Sequence, residues 1–290
     1  MSDAAVMRIF GAFAVLVGLV IGSFLNVCIV RLPEDRSVVV PRSHCPKCGT
    51  TLAPTDLVPV LSWVWLRGRC RYCHTPISAV YPLIEALSGM LAWLVFRRIV
   101  TGPQDLDLTH AAAFAVYFGF VGLLVVAAYV DVRHWIIPDQ TSLYAIPFAI
   151  AGVGFLQWIG YEDWPAIGWR ASVSGALIGA STLATASIVA RWVLRREALG
   201  WGDVKLMGLI GAFVGPIQVM FLVLLPASLI GSVASLAHLA ATRRRAYLPY
   251  GPSLALGAVL YLLWGDLIAR TFFPGVALWM GLLDPAPVLH

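Results

Sequence analysis

Apolar segments of membrane-spanning length recur along the whole chain, and this recurrence constrains the fold more than any other feature. They lie at about 9–30, 79–96, 111–130, 142–159, 171–190, 203–214, 217–241 and 253–270. A hydrocarbon core of ~30 Å takes about 20 helical residues at 1.5 Å each, and several of these segments reach that length. Backbone groups in lipid find no water to bond, so the segments are expected to be helices. Composition agrees. The chain is 60% hydrophobic and 12% charged, against roughly 45–50% and about 25% in soluble domains. A simple soluble enzyme, a disordered chain and a nucleic-acid-binding domain are excluded on that ground. The expected fold class is an all-α polytopic membrane protein of about eight transmembrane helices, in contact with membrane lipid.

The net charge of +5 then reads as topology rather than nucleic-acid affinity, because Lys and Arg accumulate on the cytoplasmic side. Eight spans put both termini on one face. Of 20 Lys and Arg, only Arg8, Arg97, Arg98, Arg170 and Arg270 fall on that face. The termini are therefore expected in the periplasm and the long loop 31–78 in the cytoplasm. Arg97 and Arg98 run against this bias locally. The first segment lacks a cleavage-type small-x-small site and reads as an uncleaved anchor. The expected organisation is a first transmembrane helix (1–30), a cytoplasmic loop domain (31–78), a seven-helix core (79–270) and a periplasmic tail (271–290). Phe272 to Leu283 is apolar but too short to span, which suits the outer interface.

The loop carries the sharpest metal pattern. Cys45-Pro-Lys-Cys48 and Cys70-Arg-Tyr-Cys73 are two C-x2-C pairs with 21 residues between them. Each pair can grip one edge of a tetrahedral ion, and Gly49 permits the tight turn after the first. Two disulfides are the rival reading, but a cytoplasmic loop is reducing. Four thiolates then suit a structural Zn²⁺ with no open position for catalysis. Cys28, within the first span, reads as a buried inert thiol.

Ionisable groups inside or at the edge of spans are costly and point to function. Asp131 follows the apolar run Leu123–Val130, and Asp203 follows Gly200-Trp201-Gly202. Two facing carboxylates cannot both ionise easily, so one keeps a proton. The ionised member can take a proton from water attacking a peptide bond while the other donates to the carbonyl oxygen. A proton relay in a transporter would use the same pair. The bland readings are an N-cap at Asp203, a membrane-edge residue at Asp131 and a cap at Asp139. A membrane scaffold docking partners through the zinc loop is a further alternative.

An ordered set of motifs resembles one family. It comprises Gly22-Ser-Phe-Leu-Asn26-Val27 with Arg31-Leu-Pro33, the two Cys pairs, Tyr81-Pro-Leu-Ile-Glu85, Asp131 through Ile137-Pro-Asp139, Gly200-Trp-Gly-Asp203-Val-Lys205, and Pro249-Tyr-Gly-Pro252. The chain resembles the type IV prepilin leader peptidases, bifunctional peptidases and N-methyltransferases of type IV pilus and type II secretion systems. The resemblance implies catalytic aspartates at Asp131 and Asp203, with Asp139 in support. It also implies a multi-pass protein of the bacterial inner membrane, active at the cytoplasmic face. Its substrates would be prepilins or pseudopilins, cut after Gly and before Phe at the end of a short basic leader. Methylation of the new N-terminus would use S-adenosylmethionine, for which no Rossmann-type glycine fingerprint is visible. Gly200 and Gly202 would let a substrate backbone approach Asp203. Lys205 would stabilise a carboxylate, and Glu85 would serve the methyltransferase or the fold. Asn26 would bond across helices.

Overall fold

A computed structural model describes residues 2–195, 199–243, 248–280 and 282. Among these residues the chain is helical and contains no strand. The long helices are α1 (Asp3–Arg31), α3 (Val80–Ile99), α4 (Leu108–His134), α5 (Ala145–Trp158), α6 (Trp169–Leu194), α7 (Trp201–Val214), α9 (Leu225–Thr242) and α10 (Gly251–Phe272). Short pieces fill the joints: α2 (Leu61–Trp65) in the long loop, α8 (Pro216–Gln218) and a π-helical stretch (Val219–Leu224) before α9, and α11 (Pro274–Trp279) after α10. Seven of the described helical segments are long and apolar enough to cross a membrane. Large apolar side chains on their outer faces, such as Phe13, Leu16 and Val20 on α1, are exposed. Apolar groups on the surface of a spanning helix suit lipid rather than water.

The remaining expected span, 203–214, is α7. Its 14 residues make a rod of about 21 Å, shorter than the other spans, and every residue from Leu206 to Val214 is buried. It runs antiparallel along α6. Gly175 of α6 and Gly211 of α7 face each other so closely that a Cβ on either would collide with the other's carbonyl. The Ser172 hydroxyl donates to the Ala212 carbonyl at 2.6 Å across the same seam. Small residues let helix backbones approach in this way, so packing and interhelical hydrogen bonds hold the short helix. The expected break at Gly215-Pro216 separates α7 from α8.

The chain divides into two compact units, at Val126 and Ala127. In the first, α1 and α3 form an antiparallel pair that brackets the long loop. Asn26 Nδ2 donates to the Tyr81 carbonyl at 3.1 Å, the cross-helix bond expected of a polar residue inside a span. The loop is built on two matching knuckles. Cys45 N donates to Thr50 O and Gly49 N to Cys45 O, both at 2.9 Å. Cys70 N donates to Thr75 O at 2.9 Å and His74 N to Cys70 O at 3.0 Å in the same pattern. Gly49 has φ +72°, the left-handed turn its lack of a Cβ favours. His74, one residue after the second pair, takes φ +56° at the equivalent position. Of the expected tail 271–290, α11 lies in the described part, and residues 283–290 lie outside it.

Candidate active site and metal centre

The second unit holds Asp131 and Asp203. Asp131 sits in the last turn of α4, not at its end, and is 7% exposed. Trp135 follows in a left-handed conformation, φ +59°, with its amide on the Asp131 carbonyl at 2.9 Å. That turn brings Ile137 back into the protein. Asp203 is 9% exposed in the first turn of α7. It is not the N-cap. Gly200 occupies the cap, and Asp203, three residues on, takes a hydrogen bond from the Gly200 backbone. This is the returning half of a capping box.

The two carboxylates are near enough to interact electrostatically. The first residue of α10, Gly251, donates its amide to Asp131 Oδ2 at 3.0 Å. A Cβ there would lie 2.6 Å from that oxygen and 3.1 Å from Ile137 Cδ1. A Cβ on Gly202 would lie 3.1 Å from Ile137 Cβ. Ile137 therefore fills the space between the starts of α7 and α10, and both glycines leave room for it. Tyr250 also reaches the site. Its hydroxyl shares a hydrogen bond with Ser228 Oγ at 2.9 Å, and the phenol lies within electrostatic range of Asp203. Neither Tyr250 nor the Gly251 amide was singled out as a site group by sequence reasoning. Their signal was the Pro249-Tyr-Gly-Pro252 motif, whose residues showed no chemistry by themselves.

The flanking residues are placed otherwise. Lys205 Nζ donates to Asp139 Oδ1 at 2.6 Å in a partly exposed ion pair. Asp139 opens a 3-10 turn ahead of α5, whose N-cap is Tyr144. Glu85 belongs to the first unit, where its Oε2 accepts the Val60 amide at 2.7 Å. A cavity of about 960 Å³ within the second unit is lined by Val132, Thr182, Ser228, Ser232, Leu236 and Tyr250. Neither aspartate lines it; it runs along small and apolar side chains of α6 and α9 and reaches Tyr250.

In the first unit the sulfurs of Cys45, Cys48, Cys70 and Cys73 all lie within 4.8 Å of one another. Cys45 Sγ is 3.8 Å from Cys73 Sγ. A tetrahedral zinc site with ~2.3 Å arms has edges of about 3.8 Å, so the donor set fits that ion. The Thr50 hydroxyl and amide beside Cys48 bring its thiol down to about 6. The amides of Cys73 and Tyr72 lower Cys70. The Thr75 amide pulls Cys73 down too, but burial and the neighbouring thiols carry it up to about 11.

Comparison with known proteins gives the family. Residues 117–236 match the type IV leader peptidase family, and residues 16–99 match the bacterial peptidase A24 N-terminal domain. A prepilin leader peptidase/N-methyltransferase of Myxococcus xanthus is 39% identical over 236 residues, covering 81% of this chain and 65% of that protein. The protein of the same name from Aeromonas salmonicida is 33% identical over 284 residues, covering 89% of this chain and 91% of the relative. One from Bacillus subtilis is 31% identical over 254 residues, covering 87% and 93%. The chain belongs to the type IV leader peptidase family. No solved structure matches it significantly. Within the leader peptidase family match lie Asp131, Asp139, Asp203 and Lys205. Within the N-terminal match lie Asn26, Glu85 and the four cysteines.

Proposed function

We propose that this leader peptidase is a bifunctional membrane enzyme, an aspartic endopeptidase acting on prepilins and an N-methyltransferase of the cleaved product. Family membership and the names of its relatives support the two activities. The observation that carries the aspartic mechanism is that two buried carboxylates, Asp131 and Asp203, converge where the starts of α7 and α10 meet Ile137. Asp131 Oδ2 accepts the Gly251 amide at the start of α10, an acceptor's role that suits the base of the pair, and Asp203 is then the acid. The base takes a proton from water as that water attacks the scissile carbonyl. The acid donates to the carbonyl oxygen, and the leaving amine is protonated as the intermediate collapses. Asp139 and Lys205 support the site from outside, holding the turn that carries Ile137 against α7.

The substrate is a prepilin or pseudopilin, cut after Gly and before Phe, and the cavity between α6 and α9 that reaches Tyr250 would take its apolar segment. Small side chains at Ser228, Gly231 and Ser232 permit a second helix to approach α9 there. The cysteine loop holds a structural Zn²⁺ through Cys45, Cys48, Cys70 and Cys73. The protein lies in the inner membrane with both termini periplasmic and the loop and aspartates at the cytoplasmic face, as the Lys and Arg distribution favours. S-adenosylmethionine would supply an electrophilic methyl group to the new N-terminal amine, in the service of pilus or type II secretion assembly. The test is incubation of purified protein with a prepilin and this donor, followed by mass spectrometry. The expected product is a mature pilin carrying one added methyl group. Uncut prepilin would overturn the peptidase reading, and a cut but unmethylated pilin would overturn the methyltransferase reading.

A further inference from the structure

The Pro249-Tyr-Gly-Pro252 step connects the cavity of the second unit with the aspartates. Its glycine serves Asp131, whose Oδ2 accepts the Gly251 amide at 3.0 Å. Its tyrosine lines the cavity. The two prolines have a fixed φ and no amide hydrogen, so the step is stiff, and Tyr250 sits in it as the N-cap of α10. The side chain is also held on α9. Its phenol shares a hydrogen bond with Ser228 Oγ at 2.9 Å. A Cβ on Gly231, one turn along α9, would lie 3.6 Å from the ring's Cδ2 and Cε2, so the ring packs against the helix at that glycine.

Other hydroxyls on the cavity wall are taken up by their own helices. Ser232 donates to the Ser228 carbonyl at 2.7 Å, Ser235 to the Gly231 carbonyl at 2.8 Å and Thr182 to the Ile178 carbonyl at 2.7 Å. Tyr250 and Ser228 differ, because two hydroxyls joined by one hydrogen bond keep a proton and lone pairs for a third group. Ser228 is exposed and Tyr250 half-buried, and both line the cavity. An occupant of the cavity therefore meets them. The first amides of a helix have no partner within it, and away from water each needs an acceptor. In a prepilin the bond to be cut precedes the apolar segment, so such amides lie beside the reacting carbonyl. We propose that the Tyr250 hydroxyl binds the substrate main chain where its apolar segment begins, accepting an amide while its own proton rests on Ser228 Oγ. The inference rests on the prepilin peptidase reading above and names a group that holds the substrate for it. Because Gly251 is bonded to Asp131, a chain bound at Tyr250 is held next to the pair. Tyr250 transfers no proton, and its contact is the same before and during the attack. Such uniform binding lowers KM and leaves kcat alone.

The test is steady-state cleavage of a prepilin by the full-length protein in lipid nanodiscs, with prepilin affinity measured in parallel in an Asp203→Asn background that binds without cutting. Tyr250→Phe keeps the ring on α9 and removes only the hydroxyl. KM is expected to rise about threefold to tenfold, and affinity in the Asp203→Asn background to fall by the same factor, the worth of one neutral hydrogen bond. The kcat is expected to stay within about twofold of wild type, as loss of uniform binding requires. Unchanged affinity in Tyr250→Phe overturns the proposal, and a wild type that cleaves leaves the peptidase reading standing. A fall in kcat as large as that expected of Gly251→Ala also overturns it, because the variant would then have displaced the start of α10 rather than the substrate. A wild type that neither binds nor cuts prepilin overturns both.

Discussion

Asp131 meets the rest of its site through single atoms, so single-atom changes are the informative ones. Gly251→Ala would place a methyl group 2.6 Å from the Asp131 carboxylate. The carboxylate or the start of α10 must then move. Misplacing a catalytic group by about 1 Å can cost ~10²-fold. A loss of cleavage of about that size is expected, with the protein still inserted in the membrane. Cleavage at the wild-type rate would show that the Gly251 contact does not position Asp131. Lys205 offers a contrast. Its bond to Asp139 is short, but both side chains are about one-third exposed, at 32% and 38%. Exposed pairs contribute about 0–1 kcal/mol. Lys205→Met is therefore expected to leave thermal stability within that range and to reduce cleavage far less than Gly251→Ala does.

At the scale of elements, the cysteine loop and the α6–α7 seam depend on different forces. The loop is held by two knuckles with four converging sulfurs and has little apolar interior of its own. Metal analysis of the purified protein is expected to find about one Zn²⁺ per chain, lost in Cys45→Ser together with protease resistance of residues 31–78 but not prepilin cleavage. A stable, metal-free and active wild type would contradict a structural zinc. Acidification should also release the ion, because its ligands must be deprotonated to bind it. The α6–α7 seam depends on close backbone approach. Gly211→Val would drive a branched side chain into the Gly175 carbonyl. Overpacking typically costs about 1–3 kcal/mol, and a lower unfolding temperature in detergent is the expected readout. An unchanged temperature would mean that the two helices can separate without cost.

Across the whole molecule, orientation rests on the basic loops. A cysteine-reactive reagent that cannot cross membranes should label a metal-free loop only after the cytoplasmic side is opened. Labelling from the periplasmic side would invert the topology. Much of the architecture was legible because apolar runs report burial in lipid directly, and the seven long spans lie close to those runs. The paired cysteines were legible for a related reason, since two knuckles are local structures written in short spacings. What holds α7 in place was not. Its apolar pattern is that of the other segments, and only the structure shows Gly175 and Gly211 meeting across the seam. The surroundings of the aspartates were hidden for a physical reason as well. The bond from Gly251 to Asp131 joins positions 120 residues apart, and Ile137 becomes a wedge only after the turn at Trp135 has folded it inward.

The central claim is that one buried pair of aspartates performs the cleavage. The direct measurement compares Asp131→Asn, Asp203→Asn and Asp139→Asn with wild type, at equal expression, on the same prepilin. Asn is close to Asp in shape but can neither take a proton from water nor donate an acid proton. General acid–base steps contribute ~10²–10⁴-fold each, and groups that act as a unit lose nearly everything when either is removed. Asp131→Asn and Asp203→Asn are each expected to reduce cleavage at least about a hundredfold, and Asp139→Asn much less. An active Asp131→Asn beside an inactive Asp139→Asn would move the base to the wrong residue of the motif, and normal cleavage by all three would contradict the aspartic mechanism itself.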